Sequence, residues 1–255
     1  MTKNKNDLTV LTVVENDPGL LELMFRSIKK FTDPMPDVIV CDNTNGKNSK
    51  RIRDSVRATK LNVQVVNNAP PLLGGSNRHS DGLNRIFPMV TTEKTAIIES
   101  DCILLCPGWD YIDFPRHKMV AAKKGELAGQ PFYHVCFMVF STRLLKHNGI
   151  IDFRPGQAGN RSNRPYKEHE DVGHKIRDKV RPDEISYVEF RDCKEGNGFF
   201  FDKTFQSDEF WLSGHPIVAH FGRGSNLKGK AIRKGFKHPD KQLEAWKKIA
   251  EEVIK

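Results

Sequence analysis

Three apolar runs govern what this chain can become: Leu8–Val14, residues 38–41 and residues 96–98, each closing on acids or amides. Amphipathic stretches separate them. Asp17 stands where a helix cap belongs, Pro18 takes the first helical position, and Leu21, Met24, Phe25 and Ile28 recur on one face. A charged stretch at 50–60 reads as a second helix, and Leu61, Val63 and Val65 alternate as a further strand. Another helix follows the loop marked by Pro70-Pro71 and Gly74-Gly75. Strand and helix alternating at this spacing imply an α/β fold, a parallel sheet with helices on its faces.

Such sheets bind ligands at the carboxyl ends of their strands. That rule puts Glu15-Asn16, Asp42-Asn43 and Glu99-Ser100-Asp101 on one rim. The second half is less regular. Residues 137–140 read as a strand, and Leu144-Leu145 opens a short helix. Residues 153–167, rich in Gly, Arg, Asn and Pro, read as a mobile loop. A last amphipathic helix starts at Pro239, with Leu243, Trp246, Ile249 and Val253 on its buried side. No internal repeat or linker divides the chain. It reads as one domain over 1–255, a nucleotide-binding half at about 8–110 and an acceptor and catalytic half at about 111–255.

Composition narrows the partners. A chain of 255 residues that is 38% hydrophobic can build a real core. No stretch nears the roughly 20 consecutive apolar residues of a membrane span, and the polar start lacks the apolar core of a signal peptide. The expectation is a cytoplasmic protein without a transmembrane segment. Cys41, Cys102, Cys106, Cys136 and Cys193 are odd in number and form no Cys-x-x-Cys, so they are read as reduced and holding no structural metal. A net charge of +9 favours an anionic partner, whether nucleotide phosphate, membrane surface or nucleic acid. A basic surface kept for solubility accounts for it equally well.

Three clusters carry chemistry. Glu99 and Asp101, one residue apart at a strand end, can reach the same hard divalent cation; they also read as ordinary surface acids. Glu170 and Asp171 offer a general base, or simply favourable first-turn charges on a helix. His220 follows an apolar run and leads into Arg223, Ser225, Lys228 and Lys230, a loop suited to a diphosphate or an ordinary basic turn.

In this order the clusters resemble the inverting glycosyltransferase family two. The matching pieces are Val14-Glu15-Asn16-Asp17-Pro18, Val40-Cys41-Asp42-Asn43-Thr44, a glycine-marked segment from Gly74 to Gly82-Leu83, and Glu99-Ser100-Asp101 with Pro107 and Trp109 downstream. Arg143, the Gly149-Ile150-Ile151-Asp152 segment, Glu170-Asp171 and His220-Phe221-Gly222-Arg223-Gly224-Ser225 complete the set across residues 8–230. Glu99 stands where that family usually has Asp, and His79-Ser80 where it usually has Arg-Asn.

The resemblance implies a GT-A fold with a mixed, mainly parallel sheet. It also implies transfer of a sugar, with inversion, from a nucleotide diphosphate such as UDP to an acceptor hydroxyl. On that reading Glu15, Asn16, Asp42, Asn43, Arg78, Arg223, Ser225, Lys228 and Lys230 line the donor site. Glu99, Asp101 and His220 hold Mn²⁺ or Mg²⁺, and Asp171 or Glu170 is the base. The acceptor is a surface glycan or lipid-linked saccharide, or nucleic acid such as a hydroxylated base in viral DNA inside an infected bacterium. A sugar nucleotidyltransferase and a non-catalytic module binding nucleotide or nucleic acid are the competing readings.

Overall fold

Every residue of β1 (Leu8–Val14) is buried, because helices cover both faces of the strand. Leu8, Val10 and Val14 pack with Leu21, Met24, Phe25 and Ile28 of α1 (Pro18–Phe31). The Asp17 carboxylate caps that helix, accepting from Gly19 N at 2.8 Å and Leu20 N at 3.3 Å. β2 (Asp37–Asp42), α2 (Lys47–Thr59), β3 (Asn62–Asn67) and α3 (Gly75–Ile86) follow. Leu11 and Val13 of β1 pack on the opposite face with Leu83 and Ile86 of α3. That approach is close: a Cβ on Gly82 would lie 2.9 Å from both methyls of Val13, so only glycine fits there.

The structure is a computed structural model. It describes residues 7–15, 17–44, 47–68, 75–112, 116–127, 130–147, 152–154, 172, 176, 180–193, 198–201, 207–222 and 239–255.

β1 pairs in parallel with β2 and with β4 (Lys94–Ile98), and β2 pairs in parallel with β3. The sheet then becomes mixed. β5 (Cys102–Leu104), β6 (Met119–Leu127), β7 (Gln130–Ser141), β8 (Ile185–Asp192), β9 (Asp208–Leu212) and β10 (His215–His220) complete it. The strand expected at 137–140 is the inner end of the 12-residue β7, which runs antiparallel to β4. The ten-strand order is β3-β2-β1-β4-β7-β6-β8-β9-β10-β5. β4 and β5 are consecutive in the chain, yet β4 lies fourth in that order and β5 last. The sheet must therefore curl until its far edge returns to β4, and the turn at 99–101 is the seam. Its amides tie to both sides. Glu99 N donates to Cys136 O at 2.9 Å, and Asp101 O accepts from Phe221 N at 2.9 Å.

α4 (Thr142–His147) is the short second-half helix, beginning two residues ahead of the expected Leu144. Phe153 departs from expectation: it is fully buried, edge-on to Phe87 at 5.6 Å, so this position belongs to the core. Residues 155–167 of the expected loop lie outside the described residues. On α5 (Pro239–Ile254) the buried line is Trp246, Ala250 and Ile254, while Leu243, Ile249 and Val253 are half-buried. The stripe turns this way because Trp246 stacks on Phe201 at 5.1 Å and meets Phe221 at 5.4 Å. All five cysteines are free thiols.

Candidate active site

The carboxyl ends of β1, β2 and β3 carry a network of amides and two guanidinium groups. Arg78, in the first turns of α3, donates from Nη2 to Asn43 O at 3.0 Å, and Asn43 Nδ2 donates back to Arg78 O at 3.0 Å. Asn43 Oδ1 accepts from Asn68 Nδ2 at 2.9 Å, and Asn68 Oδ1 accepts from Arg85 Nη1 at 3.1 Å. Glu15 lies 3.8 Å from Arg78 Nε. That Nε is buried and makes no hydrogen bond, its charge faced by the Glu15 carboxylate. Asp42 is differently engaged. Its Oδ1 accepts from Thr44 N at 2.9 Å and its Oδ2 from Ser49 Oγ at 2.6 Å, so the carboxylate fixes the turn after β2.

The seam gathers the titratable groups. Glu99 and Asp101 come together here through the tight turn in which Cys102 N donates to Glu99 O at 2.9 Å, rather than through an extended strand end. His220, paired with Cys102 in the β10–β5 ladder, faces both acids: Nε2 is 3.2 Å from Glu99 Oε2 and 3.5 Å from Asp101 Oδ1. Its Nδ1 lies 3.1 Å from Asp208 Oδ2, the residue directly across the β9–β10 hairpin. Glu99 Oε1 also meets His79 Nδ1 at 3.1 Å. Behind them His134 Nδ1 and Cys136 Sγ are 2.7 Å apart.

These contacts drive the acid and the base apart. Burial opposes ionisation of Glu99, but hydrogen bonds from His220 and His79 outweigh it and hold the carboxyl well below its usual range. Burial likewise opposes the His220 cation, while Cys136, Asp101 and Cys102 push the imidazole well above its ordinary value. Burial pushes both thiols well up and keeps them protonated, which leaves the carboxylates as the groups that sustain the imidazolium. Three carboxylates, Glu99, Asp101 and Asp208, thus face two imidazoles, His220 and His79. The negative excess is what a divalent cation relieves, and Asp208 on Nδ1 leaves the Nε2 lone pair of a neutral His220 for such an ion. Asp101, Cys102 and His220 offer ligand atoms within 4.8 Å of one another.

Of the residues expected from sequence, Glu15, Asp42, Asn43 and Arg78 share the rim, and Glu99, Asp101 and His220 share the seam. Asn16, Glu170, Asp171, Arg223, Ser225, Lys228 and Lys230 lie outside the described residues. Val172, next to the expected base, is buried in the core. His79, His134, Cys136 and Asp208 were not anticipated. Counting outward from the Ser213-Gly214 turn, where both residues take positive φ, would pair Asp208 with Ala219; a register shift between Pro216 and Val218, which the sequence does not announce, brings it opposite His220 instead.

No helix among the described residues is long and apolar enough to cross a membrane. No family model matches the chain, nor does any curated protein sequence. Solved structures do. The mannosyltransferase PcManGT from Pyrobaculum calidifontis, in complex with GDP-Man and Mn²⁺, superposes with a TM-score of 0.51 at 16% identity, over 72% of this chain and 57% of that one. The chain therefore spans little more than half the length of that enzyme. TarS 1–349 of S. aureus in complex with UDP-GlcNAc gives 0.42 at 16% identity over 56% and 48%. The glycosyltransferase GlyE of Streptococcus pneumoniae gives 0.40 at 14% over 58% and 37%. Only the first is near enough to bear on the fold, and it bears on the fold alone. The mixed ten-stranded sheet flanked by helices is that of the GT-A glycosyltransferases.

Proposed function

We propose that this protein is a metal-dependent glycosyltransferase, moving a sugar from a nucleotide diphosphate sugar to an acceptor hydroxyl with inversion. The observation that carries the reading is the convergence of Glu99, Asp101 and His220 at the seam, which His79 joins to the rim where Arg78 Nε faces Glu15 without a hydrogen bond. Glu99, Asp101 and His220 would hold Mn²⁺ or Mg²⁺, which when bound neutralises a departing diphosphate. Asp208 keeps the His220 ring oriented with Nε2 toward the acids. Arg78 Nε donates to a phosphate or ribose oxygen, and Asn43 and Glu15 wall the nucleotide. Asp171, or Glu170 beside it, accepts the acceptor's hydroxyl proton as that oxygen attacks the anomeric carbon opposite the leaving group. A single displacement of this kind inverts the centre.

The net charge of +9 favours a polyanionic acceptor, nucleic acid, over a neutral glycan. Arg154, Arg161, Arg164 and Lys167, with Lys228, Lys230, Arg233, Lys234 and Lys237, are the cations proposed to follow its backbone. Two measurements test the reading. Hydrolysis of a panel of nucleotide sugars should require Mn²⁺ or Mg²⁺, and no turnover of any donor would sink the transferase assignment. Binding to duplex DNA should weaken with salt at a slope of about 0.9 per neutralised phosphate. Salt-insensitive binding together with glycosylation of a saccharide or lipid would move the acceptor to the surface-glycan class.

A further inference from the structure

The donor atoms around His220 are not all hard. On one side stand the carboxylates of Glu99 and Asp101; on the other, His134 and Cys136 project from the same face of β7, two residues apart. His134, Cys136 and His220 offer one nitrogen, one sulfur and one nitrogen within 4.8 Å of one another, and all three residues are buried. A tetrahedral zinc shell, with bonds of about 2.0–2.3 Å, places its ligand atoms roughly 3.3–3.8 Å apart. Shifts of about an ångström would bring this trio onto such a shell. The surroundings favour a dehydrated ion. The His134 ring stacks on Phe190 at 5.2 Å and stands edge-on to Phe210 at 5.5 Å, and Phe210 lies against Phe137 at 5.9 Å. Magnesium keeps several waters and prefers oxygen, so this aromatic wall suits it poorly. An ordinary apolar core gains nothing from placing a thiol and two imidazoles together.

We propose that His134, Cys136 and His220 form a nitrogen–sulfur site for a borderline-soft divalent cation of the zinc class. The site shares His220 with the hard-cation position proposed above and otherwise stands without that reading. Cys102, whose sulfur is within 4.8 Å of a His220 ligand atom, is a further sulfur donor. Binding exchanges the Cys136 S–H bond for a sulfur–metal bond and releases the proton to solvent. An ion on this side draws His220 away from Glu99 and Asp101, so zinc competes with Mn²⁺ for one imidazole.

The test uses the full chain, stripped with a chelator and without any sugar donor. Titration with Co²⁺ should produce a thiolate-to-cobalt charge-transfer band in the near ultraviolet, saturating at one ion per chain. Zn²⁺ should abolish the band and Mg²⁺ should not. Cys136→Ser should remove the band and weaken Zn²⁺ by at least about 10-fold, the lower bound known for losing even an outer partner of a metal ligand. His134→Gln should weaken it comparably. Should either variant fold poorly, the unsubstituted protein still decides: Zn²⁺ should raise its melting temperature where Mg²⁺ at the same concentration does not. Cobalt bound without the band, or zinc affinity unchanged in a folded Cys136→Ser, would overturn the proposal and reduce the His134–Cys136 contact to a core hydrogen bond. Donor turnover, assayed separately with Mn²⁺, keeps the two readings distinct. A zinc-binding protein that turns over no donor fails only the transferase reading, and an active protein without the band fails only this one.

Discussion

The rim at β1–β3 and the seam at β4–β10 are both polar and both largely buried, yet they settle their polar atoms in opposite ways. At the rim, Asn43, Asn68, Arg78 and Arg85 bond mainly to one another, and Asp42 is consumed by Thr44 and Ser49. At the seam, Glu99, Asp101 and Asp208 crowd two imidazoles and are left with more negative charge than the imidazoles cancel. A rim that closes its own hydrogen bonds is shaped to recognise a molecule. A seam with unbalanced buried charge is prepared for an ion.

Substitutions can break that division. Asp101→Asn strikes the seam hardest and should take sugar transfer below detection while the melting temperature stays near that of the unsubstituted protein, because the acid serves the ion more than the core. Near-normal turnover with Mn²⁺ would dismiss the seam as an ion site. Asp171→Asn tests the chemistry that neither region supplies. Turnover should fall by about 10²–10⁴-fold with donor affinity unchanged, since a general base acts in the transition state. A matching loss of donor affinity would reassign the residue to binding.

Two smaller effects sharpen the contrast. Asp208→Asn should lower Mn²⁺ affinity by about 10–100-fold, the usual consequence of losing the partner that orients a ligating histidine. Nucleotide affinity measured without metal should not change. Arg78→Met should do the reverse, weakening nucleotide diphosphate by about 10-fold for one charged hydrogen bond and leaving metal affinity alone. Calorimetric titration of each ligand against each variant reads both. If either variant moves both affinities equally, rim and seam are one site and the distinction drawn between them falls.

The two regions were unequally legible. The rim followed from sequence because parallel strands ending together is a rule of topology, and Glu15, Asp42 and Asn43 each close an apolar run. Glu99 and Asp101 came from their spacing at a strand end and His220 from the basic loop it opens, although their meeting depends on a turn and on an antiparallel ladder that no local pattern announces. His134 and Cys136 were hidden in a run of apolar residues, where a histidine and a thiol two apart carry no signal until β7 is laid beside β4. The spacing of the cysteines reads Cys136 as reduced and metal-free, and gives no hint of its contact with His134 beside His220. The buried Phe153 shows the converse error, since a loop-like composition downstream outweighed one aromatic that the core required.

The seam also has a history in folding. β1, α1, β2 and their neighbours assemble from contacts close along the chain, which form early because little loop entropy is spent on them. The pairing of β10 with β5 is of the other kind: His220 must return to Cys102 across the whole second half of the chain. Long-range closures of that sort come late. The cluster is thus among the last places to exist during folding, and an ion that needs Glu99, Asp101 and His220 together has nothing to bind until β10 has paired with β5. Metal uptake would then report completion of the fold, and a chain stalled with β10 undocked would expose two uncovered sheet edges and no site.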